Sequence, residues 1–131
     1  MIAALMIFWI SDLFTSNAKC QRAAAAMVIE HLRTHQNAWP KHWNDLQDDY
    51  EIVAKRWGLN QTFAQLKRRV GIVWDADPDV LRSAESGTNG EPPFHVIWAI
   101  DGSSDLEVWE NEEPNQMIWN YLNGIMKADH G

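Results

Sequence analysis

The chain has 131 residues, a formal net charge of −7 and 46% apolar residues, which is enough for one domain with its own core. The excess of acids lies in residues 61–131, and Lys67–Arg69 is the longest basic run, so we expect no binding of nucleic acid. The single cysteine, Cys20, excludes an intramolecular disulfide, a cysteine zinc cluster and a CxxC redox pair.

The sequence begins with an apolar run from Ile2 to Phe14, which only Ser11 and Asp12 interrupt. This run is several residues short of the roughly 20 that a membrane-spanning helix needs. Three interpretations remain: an uncleaved membrane anchor, a cleaved signal peptide, or a segment that a soluble protein buries against its core or a partner. With the anchor as the leading interpretation, residues 1–18 form an anchor or signal-like segment and residues 19–131 a single α+β domain.

The same run would be apolar on every side of a helix, whereas a surface helix of a soluble domain has a one-sided apolar stripe. We therefore expect it to act outside the core of the domain. The expected contacts are a protein partner or self-association through the N-terminal helix, with a membrane as a further option.

Helical residues continue from Lys19 to His35, because Ala23–Ala26 are strong helix formers and no Gly or Pro occurs before Pro40. Together with the apolar run this predicts one helix of about 30 residues. Asn37 and Pro40 are expected to stop it, because Trp39 before a proline leaves the helical region. The buried face is predicted to hold Ala18, Ala25, Val28, Ile29 and Leu32, and the solvent face Lys19, Arg22, Glu30 and Arg33.

Two shorter helices are predicted next. Pro40 can open the first, Gly58 is a suitable end, and the pair Asp48–Asp49 could divide it. Its apolar stripe is Trp43, Leu46, Tyr50, Val53 and Trp57. The pattern Thr62-x-x-Gln65 predicts a capping box for the second.

The periodicity then changes to that of strands. Three β-branched and aromatic runs predict strands at Val70–Trp74, Phe94–Ile100 and Leu106–Trp109, with a hairpin turn at Asp101–Ser104. Residues 75–93 read as a loop with one helical turn near Val80. We expect an α+β fold in which the long N-terminal helix packs on a three-stranded antiparallel sheet, with additional helices including a C-terminal one.

That C-terminal helix begins at Pro114, and Glu112 and Glu113 precede it where a helix favours acids. Its apolar stripe is Met117, Ile118, Tyr121, Leu122, Ile125 and Met126. Across the chain, the residues predicted to form the core are Val28, Leu32, Trp43, Leu46, Tyr50, Val53, Val96, Trp98, Ile118 and Leu122.

Few residues suggest a catalytic or ligand-binding site. Asp75, Asp77 and Asp79 resemble the start of a calcium loop, but the required Gly and Glu are replaced by Val80 and Ser86, so a turn with Asp side chains bonding the backbone is favoured. The acids Glu107, Glu110, Glu112 and Glu113 more often form a solvated edge than an acid/base pair.

His31 and His35 are spaced i, i+4 and could both face one metal ion, yet an ordinary polar helix face is the commoner outcome.

No residue is assigned a catalytic, cofactor-binding or metal-binding role, and no cofactor is predicted. The alternative to a non-enzymatic module is a small soluble enzyme or ligand-binding protein with an acidic site near Asp75 and Asp77.

The stretch from the apolar start to Leu46 resembles type II secretion pseudopilins and related pilin-like proteins, through the segments His35–Pro40 and Trp43–Leu46. The chain also looks like small membrane-anchored, tryptophan-rich proteins of unknown function of the planctomycete type. The resemblance implies an anchoring helix that continues into a head, on the periplasmic or extracellular side, with a cytoplasmic location as the alternative. It implies an interaction or structural role, and no site residue is carried over.

Overall fold

The computed structural model describes residues 2–86, 91–102 and 113–125, with side chains from Asn17 onward. The architecture is α+β, with helices and, in the described residues, a two-stranded antiparallel sheet. In chain order the elements are α1 Ile2–Thr34, a 3₁₀ helix Trp43–Leu46, α2 Gln47–Trp57, α3 Phe63–Arg69, β1 Val70–Ile72, α4 Pro78–Arg82, β2 Ile97–Ala99 and α5 Pro114–Leu122.

Helix α1 is continuous for 33 residues, which confirms the predicted long helix. From Asn17 to Leu32 it passes through the middle of the domain, in contact with α2, α3, α5 and both strands. Its small alanines let these elements approach closely. Cys20 in the same stretch is completely buried.

The one-sided face predicted for α1 is therefore wrong at Glu30, whose exposure is only 3%. The prediction treated the helix as a surface helix with a solvent side. Because other elements cover α1 on several sides, buried positions also include Gln21 and His31.

α1 ends in a turn with two left-handed residues, Gln36 at φ 56° and Asn37 at φ 66°. The Asn37 N–H donates to the Leu32 carbonyl at 2.7 Å, as in a Schellman ending. The predicted stop is thereby confirmed. Trp39 follows and donates its indole N–H to the Val73 carbonyl at 2.7 Å, which ties the turn to the end of β1.

The predicted second helix begins at Trp43 rather than at Pro40, and it changes from the 3₁₀ helix to α2 between Leu46 and Gln47. The expected break at Asp48–Asp49 does not occur, because both residues lie in the first turn of α2. Gly58 ends α2 in the left-handed conformation at φ 64°. The capping box of α3 is present in both directions: Thr62 Oγ1 accepts from the Gln65 N–H at 3.1 Å, and Gln65 Oε1 accepts from the Thr62 N–H at 2.8 Å.

The sheet within the described residues has two strands, β1 and β2, with Gly71 opposite Trp98 in an antiparallel register. The three-stranded sheet is therefore not seen there. The run predicted as the third strand, Leu106–Trp109, lies outside the described residues.

The predicted core is largely confirmed, with one error in β2. Trp98 is 43% exposed, whereas its neighbours Ile97 and Ala99 are buried. Since side chains alternate along a strand, the assigned phase was wrong by one residue. The predicted core residues that are fully buried are Val28, Leu32, Leu46, Val53, Val96 and Ile118, and those half-buried are Trp43, Tyr50 and Leu122.

Asn115 near the start of α5 fastens that helix to β2. Its Oδ1 accepts from the N–H groups of Val96 and Ile97 at 2.8 and 2.9 Å, and its Nδ2 donates to the Ile97 carbonyl at 3.0 Å. A side-chain amide thus takes the place of a neighbouring strand at this edge. Nδ2 also donates to Glu113, the residue that caps α5.

Replacing Asn115 with Ala should destabilise the fold by about 2–4 kcal/mol, because the buried N–H groups of Val96 and Ile97 lose their acceptor. Urea unfolding followed by circular dichroism measures this. Asn120→Ala on the same helix is the control, since Asn120 Oδ1 accepts only from Gln116 among the contacts described, and it should cost about 1 kcal/mol or less. Equal losses in the two variants would contradict the role given to Asn115.

Gly71 lies directly beneath the ring of Trp98, where a Cβ would stand 2.2 Å from Cε2 of the indole. Gly71→Ala should therefore destabilise the protein by about 1–3 kcal/mol, since the ring must move off the sheet. In a Trp98→Ala background the added methyl meets no ring, so the cost should fall. A double-mutant cycle by thermal unfolding checks this, and an unchanged cost in the second background would refute the contact as its cause.

Candidate functional site

Among the described residues, a dense group of ionisable side chains lies where the C-terminal half of α1 meets α2. We call it the α1–α2 polar cluster, and its members are Glu30, His31, Arg33, His35, Asp49 and Arg56. Glu30, His31 and Arg33 come from the end of α1, and His35 follows that helix directly. Asp49 and Arg56 come from α2. The cluster thus joins a helix that is buried on several sides to the first helix that packs on it.

At the centre of the cluster, His31 Nδ1 is 3.1 Å from Asp49 Oδ2. Both residues are buried, with exposures of 6% and 3%. Burial raises the pKa of Asp49 because it removes water from the carboxylate, and the hydrogen bond from His31 acts in the opposite direction. The pair is therefore a buried polar contact between the two helices.

Glu30 is the second buried carboxylate of the cluster. Arg33 donates to it twice, from Nε to Oε2 at 3.2 Å and from Nη2 to Oε1 at 2.5 Å. Arg56 of α2 approaches the same carboxylate at 3.8 Å. The hydrogen bonds that Arg33 donates to Glu30 raise the pKa of Arg33. Because both guanidinium groups are about half exposed, they compensate the buried charge from the solvent side.

The imidazoles of His31 and His35 are stacked, with ring centres 3.9 Å apart and planes 12° apart. Their spacing therefore serves ring contact in this structure. His35 Nδ1 lies 2.9 Å from the His31 carbonyl and 3.0 Å from Thr34 Oγ1. Within the described part of the chain, no three His, Cys, Asp or Glu side chains are placed to hold a metal ion.

A histidine oriented by a carboxylate can act as a general base when its second ring nitrogen reaches a substrate. Here both partners lie buried between two helices. The observed arrangement joins α1 to α2. Across the described residues, every fully buried side-chain nitrogen or oxygen has a hydrogen-bond partner.

The acidic site considered from the sequence alone has a different structure. Asp75 and Asp77 are both exposed, and Asp77 Oδ1 accepts from the Asp79 N–H at 2.9 Å, which caps α4 at Pro78. This confirms the turn interpretation for Asp77. The expected helical turn near Val80 is α4 itself.

Of the acids at and after the predicted hairpin, Glu113 is the one that the structure describes. Glu113 caps α5, with Oε1 accepting from the Gln116 N–H at 2.8 Å. The residues Glu107, Glu110 and Glu112 lie outside the described residues.

Sequence reasoning missed Asp49, Arg56 and the burial of Glu30. A signal was present, since Asp49 follows the core residue Leu46 by three positions and precedes Val53 by four, which places it on the apolar stripe of α2. Glu30 likewise follows Met27 by three positions. Acids at such positions indicate buried, paired carboxylates.

Comparisons with known proteins add no relative. No protein-family model, curated protein or solved structure matches the chain.

Arg33→Ala should reduce the free energy of unfolding more than Arg56→Ala does. Arg33 makes two hydrogen bonds to the buried Glu30, and its loss should cost about 1–2 kcal/mol after allowing for solvent screening. Arg56 is more distant, so about 0.5 kcal/mol or less is expected. Urea unfolding of both variants decides this, and a larger loss for Arg56→Ala would overturn the assignment.

Proposed function

We propose that the protein is a non-catalytic interaction module with a pilin-like layout, in which a folded head holds one half of a long helix and the apolar half attaches the protein elsewhere. The observation that carries this proposal is the continuity of α1 from the apolar run into the centre of the head. Its location in the proposal is the periplasmic or extracellular side, attached to a membrane or to another chain.

The length of α1 supports its division into a half that the head holds and a half that attaches the protein elsewhere. A helix of 33 residues is about 50 Å long, whereas about 30 Å already equals the diameter of a small domain. The head covers the helix between Asn17 and Leu32. The first part of α1 therefore reaches beyond what a domain of this size needs to bury.

The composition of that first part supports an apolar contact. Asp12 is the only charged side chain between Ile2 and Ala18, so association there removes little charge from water. No helix in the described residues has both the length and the apolar character for a membrane crossing. The apolar run in this proposal attaches to an apolar surface, either a second protein chain or the interfacial layer of a bilayer.

The head supports this role because polar contacts hold the helix at both ends of the covered stretch. The pairs His31–Asp49 and Glu30–Arg33 lie at one end of the covered stretch, and Asn17 donates to both carboxylate oxygens of Asp101 at 3.2 Å at the other. A force on the apolar half would thus reach the head through several polar contacts, of which His31–Asp49 is buried. The pilin-like layout includes the three-stranded sheet predicted from the sequence, of which β1 and β2 are described.

Two polar substitutions in the apolar run, Phe8→Gln with Trp9→Gln, should abolish attachment and leave the head folded. Analytical ultracentrifugation and flotation with anionic vesicles measure attachment to a second copy and to a bilayer, and thermal unfolding measures the head. The full chain should self-associate or float, and the variant should do neither at an unchanged melting temperature. Ile100→Gln, at an exposed position on the head, should behave as the full chain does.

The proposal fails if the full chain is monomeric and does not float. It also fails if the two substitutions unfold the head, because the apolar run would then be part of the core.

A further inference from the structure

Helix α1 is the first element of the described fold and also its centre. The elements that cover it, which are the 3₁₀ helix, α2, α3, α5 and both strands, all follow it in the chain. We call the described residues from Trp39 onward the cradle. Among the described residues, one connection, the exposed residues 35–38, joins α1 to the cradle. The fold therefore consists of two complementary parts that a short segment holds together.

The cradle is complementary to α1 in its polar groups as well as in its shape. Asp101 accepts from Asn17 at 3.2 Å near one end of the covered stretch. Asp49 meets His31 at 3.1 Å near the other end, and both of these side chains are buried. Between the two contacts, Ala23–Ala25 are completely buried. Because the contacts lie at fixed positions along the helix, the cradle recognises a helix with the sequence of α1 in one register.

The connection turns back in a conformation that is unfavourable for one of its residues. Gln36 and Asn37 are both left-handed, at φ 56° and φ 66°. Asparagine tolerates this region, whereas the Cβ of a glutamine comes too close to the following carbonyl oxygen. The Asn37 N–H donates to the Leu32 carbonyl at 2.7 Å and closes the turn. The closed turn therefore carries backbone strain at Gln36.

An open connection relieves that strain. The chain has no glycine or proline before Pro40, so residues 35–38 can continue α1 as a right-handed helix. Trp39 is buried and donates to the Val73 carbonyl at 2.7 Å, which keeps the far side of the connection fixed to the cradle. Opening therefore moves α1 as a whole out of its own cradle. An emptied cradle leaves the buried Asp49 without its partner on α1, so an equivalent helix must fill it again.

We propose that the cradle binds α1 of a second copy of this chain, so that two chains exchange their first helices and form a dimer. Each contact between α1 and the cradle is then made again between the two chains, and only the two connections change conformation. The relief of strain at both connections favours the dimer, whereas the loss of translational freedom opposes it, most strongly in dilute solution. The inference does not depend on the proposed attachment function.

The burial of α1 determines when the exchange can occur. A helix that the cradle encloses on several sides leaves only when the head opens. Exchange is therefore slow in the folded protein and fast while chains fold. Two chains that fold together at high concentration give the dimer, whereas chains that fold in dilute solution give a monomer that persists.

Refolding at two protein concentrations tests the exchange. The full-length chain carries Phe8→Gln and Trp9→Gln, which remove association through the apolar run and so separate this test from that of the proposed attachment. After unfolding in urea and refolding, size-exclusion chromatography with light scattering measures the dimer. We expect a monomer after refolding in dilute solution and a dimer after refolding at high concentration. A chain that is monomeric in both cases would overturn the proposal, whether or not the unsubstituted chain attaches to vesicles.

Substitutions at Gln36 test the role of the connection, with the dimer association constant measured after equilibration just below the urea midpoint. Glycine adopts the left-handed region freely and disfavours the helical open form, so Gln36→Gly should lower the constant by about tenfold or more. Gln36→Val should raise it, because a β-branched residue is a steric outlier in the left-handed region.

Gln47→Gly and Gln47→Val are the matched controls for these substitutions. Gln47 is exposed and right-handed at φ −59°, and its conformation is the same in the monomer and the exchanged dimer. Both controls should therefore leave the association constant unchanged. Equal effects at the two positions, or a higher constant for Gln36→Gly, would contradict the role given to the connection.

A dimer of one isotope-labelled and one unlabelled copy shows directly which chain provides α1. Isotope-filtered NOEs should connect methyl groups of α1 in one copy with methyl groups of α2 in the other. NOEs between α1 and α2 that occur only within each copy would indicate a side-by-side dimer and refute the exchange. The same measurement distinguishes exchange from association through the apolar run in the unsubstituted chain, so the test remains decisive where Phe8→Gln and Trp9→Gln unfold the head.

Discussion

The burial of α1 is the constraint on which the remaining structure depends. Once one helix runs through the centre of a small domain, other elements must cover it, and the 3₁₀ helix, α2, α3, α5 and both strands do so. The alanines at Ala23–Ala25 make this possible because they leave room for close neighbours. The same burial requires that each polar group on the helix find a partner inside the protein.

The partners are found in two ways. Near the middle of the covered stretch, Gln21 folds back and donates to the Asn17 carbonyl at 3.3 Å, so the helix satisfies its own side chain. Toward the end, Glu30 and His31 reach other side chains, and α2 provides Asp49 for this purpose. A hydrogen bond within α1, such as that of Gln21, places no constraint on the surrounding elements. The contact between His31 and Asp49, in contrast, fixes the register of α2 on α1.

Much of the fold could be predicted from local signals. The stop at Gly58, the capping box at Thr62 and the helix start at Pro114 each depend on a few neighbouring residues, and each is present. Which side chains are buried depends on the whole chain, so burial was harder to predict from neighbouring residues. A charged residue such as Glu30 normally marks the solvent side of a helix, and only the enclosure of α1 by distant elements makes it internal.

The two remaining errors have the same origin. Trp98 was assigned to the core because aromatic side chains are usually buried. In β2, however, Ile97 faces the core and the indole of Trp98 lies over Gly71. A glycine on a neighbouring strand, far away in sequence, provides that place. The candidate site was missed for a similar reason, since Asp49 gains its meaning only when α2 lies against His31.

The position of Cys20 has a consequence for redox chemistry. Its thiol is the only one in the chain and lies completely buried in the enclosed part of α1. Oxidants, alkylating reagents and a second thiol can meet it only after the elements around α1 have separated, so its reactivity is governed by the free energy of that opening. An intermolecular disulfide through Cys20 would therefore trap an opened form of the head, and the sulfur stays reduced as long as the helix remains enclosed.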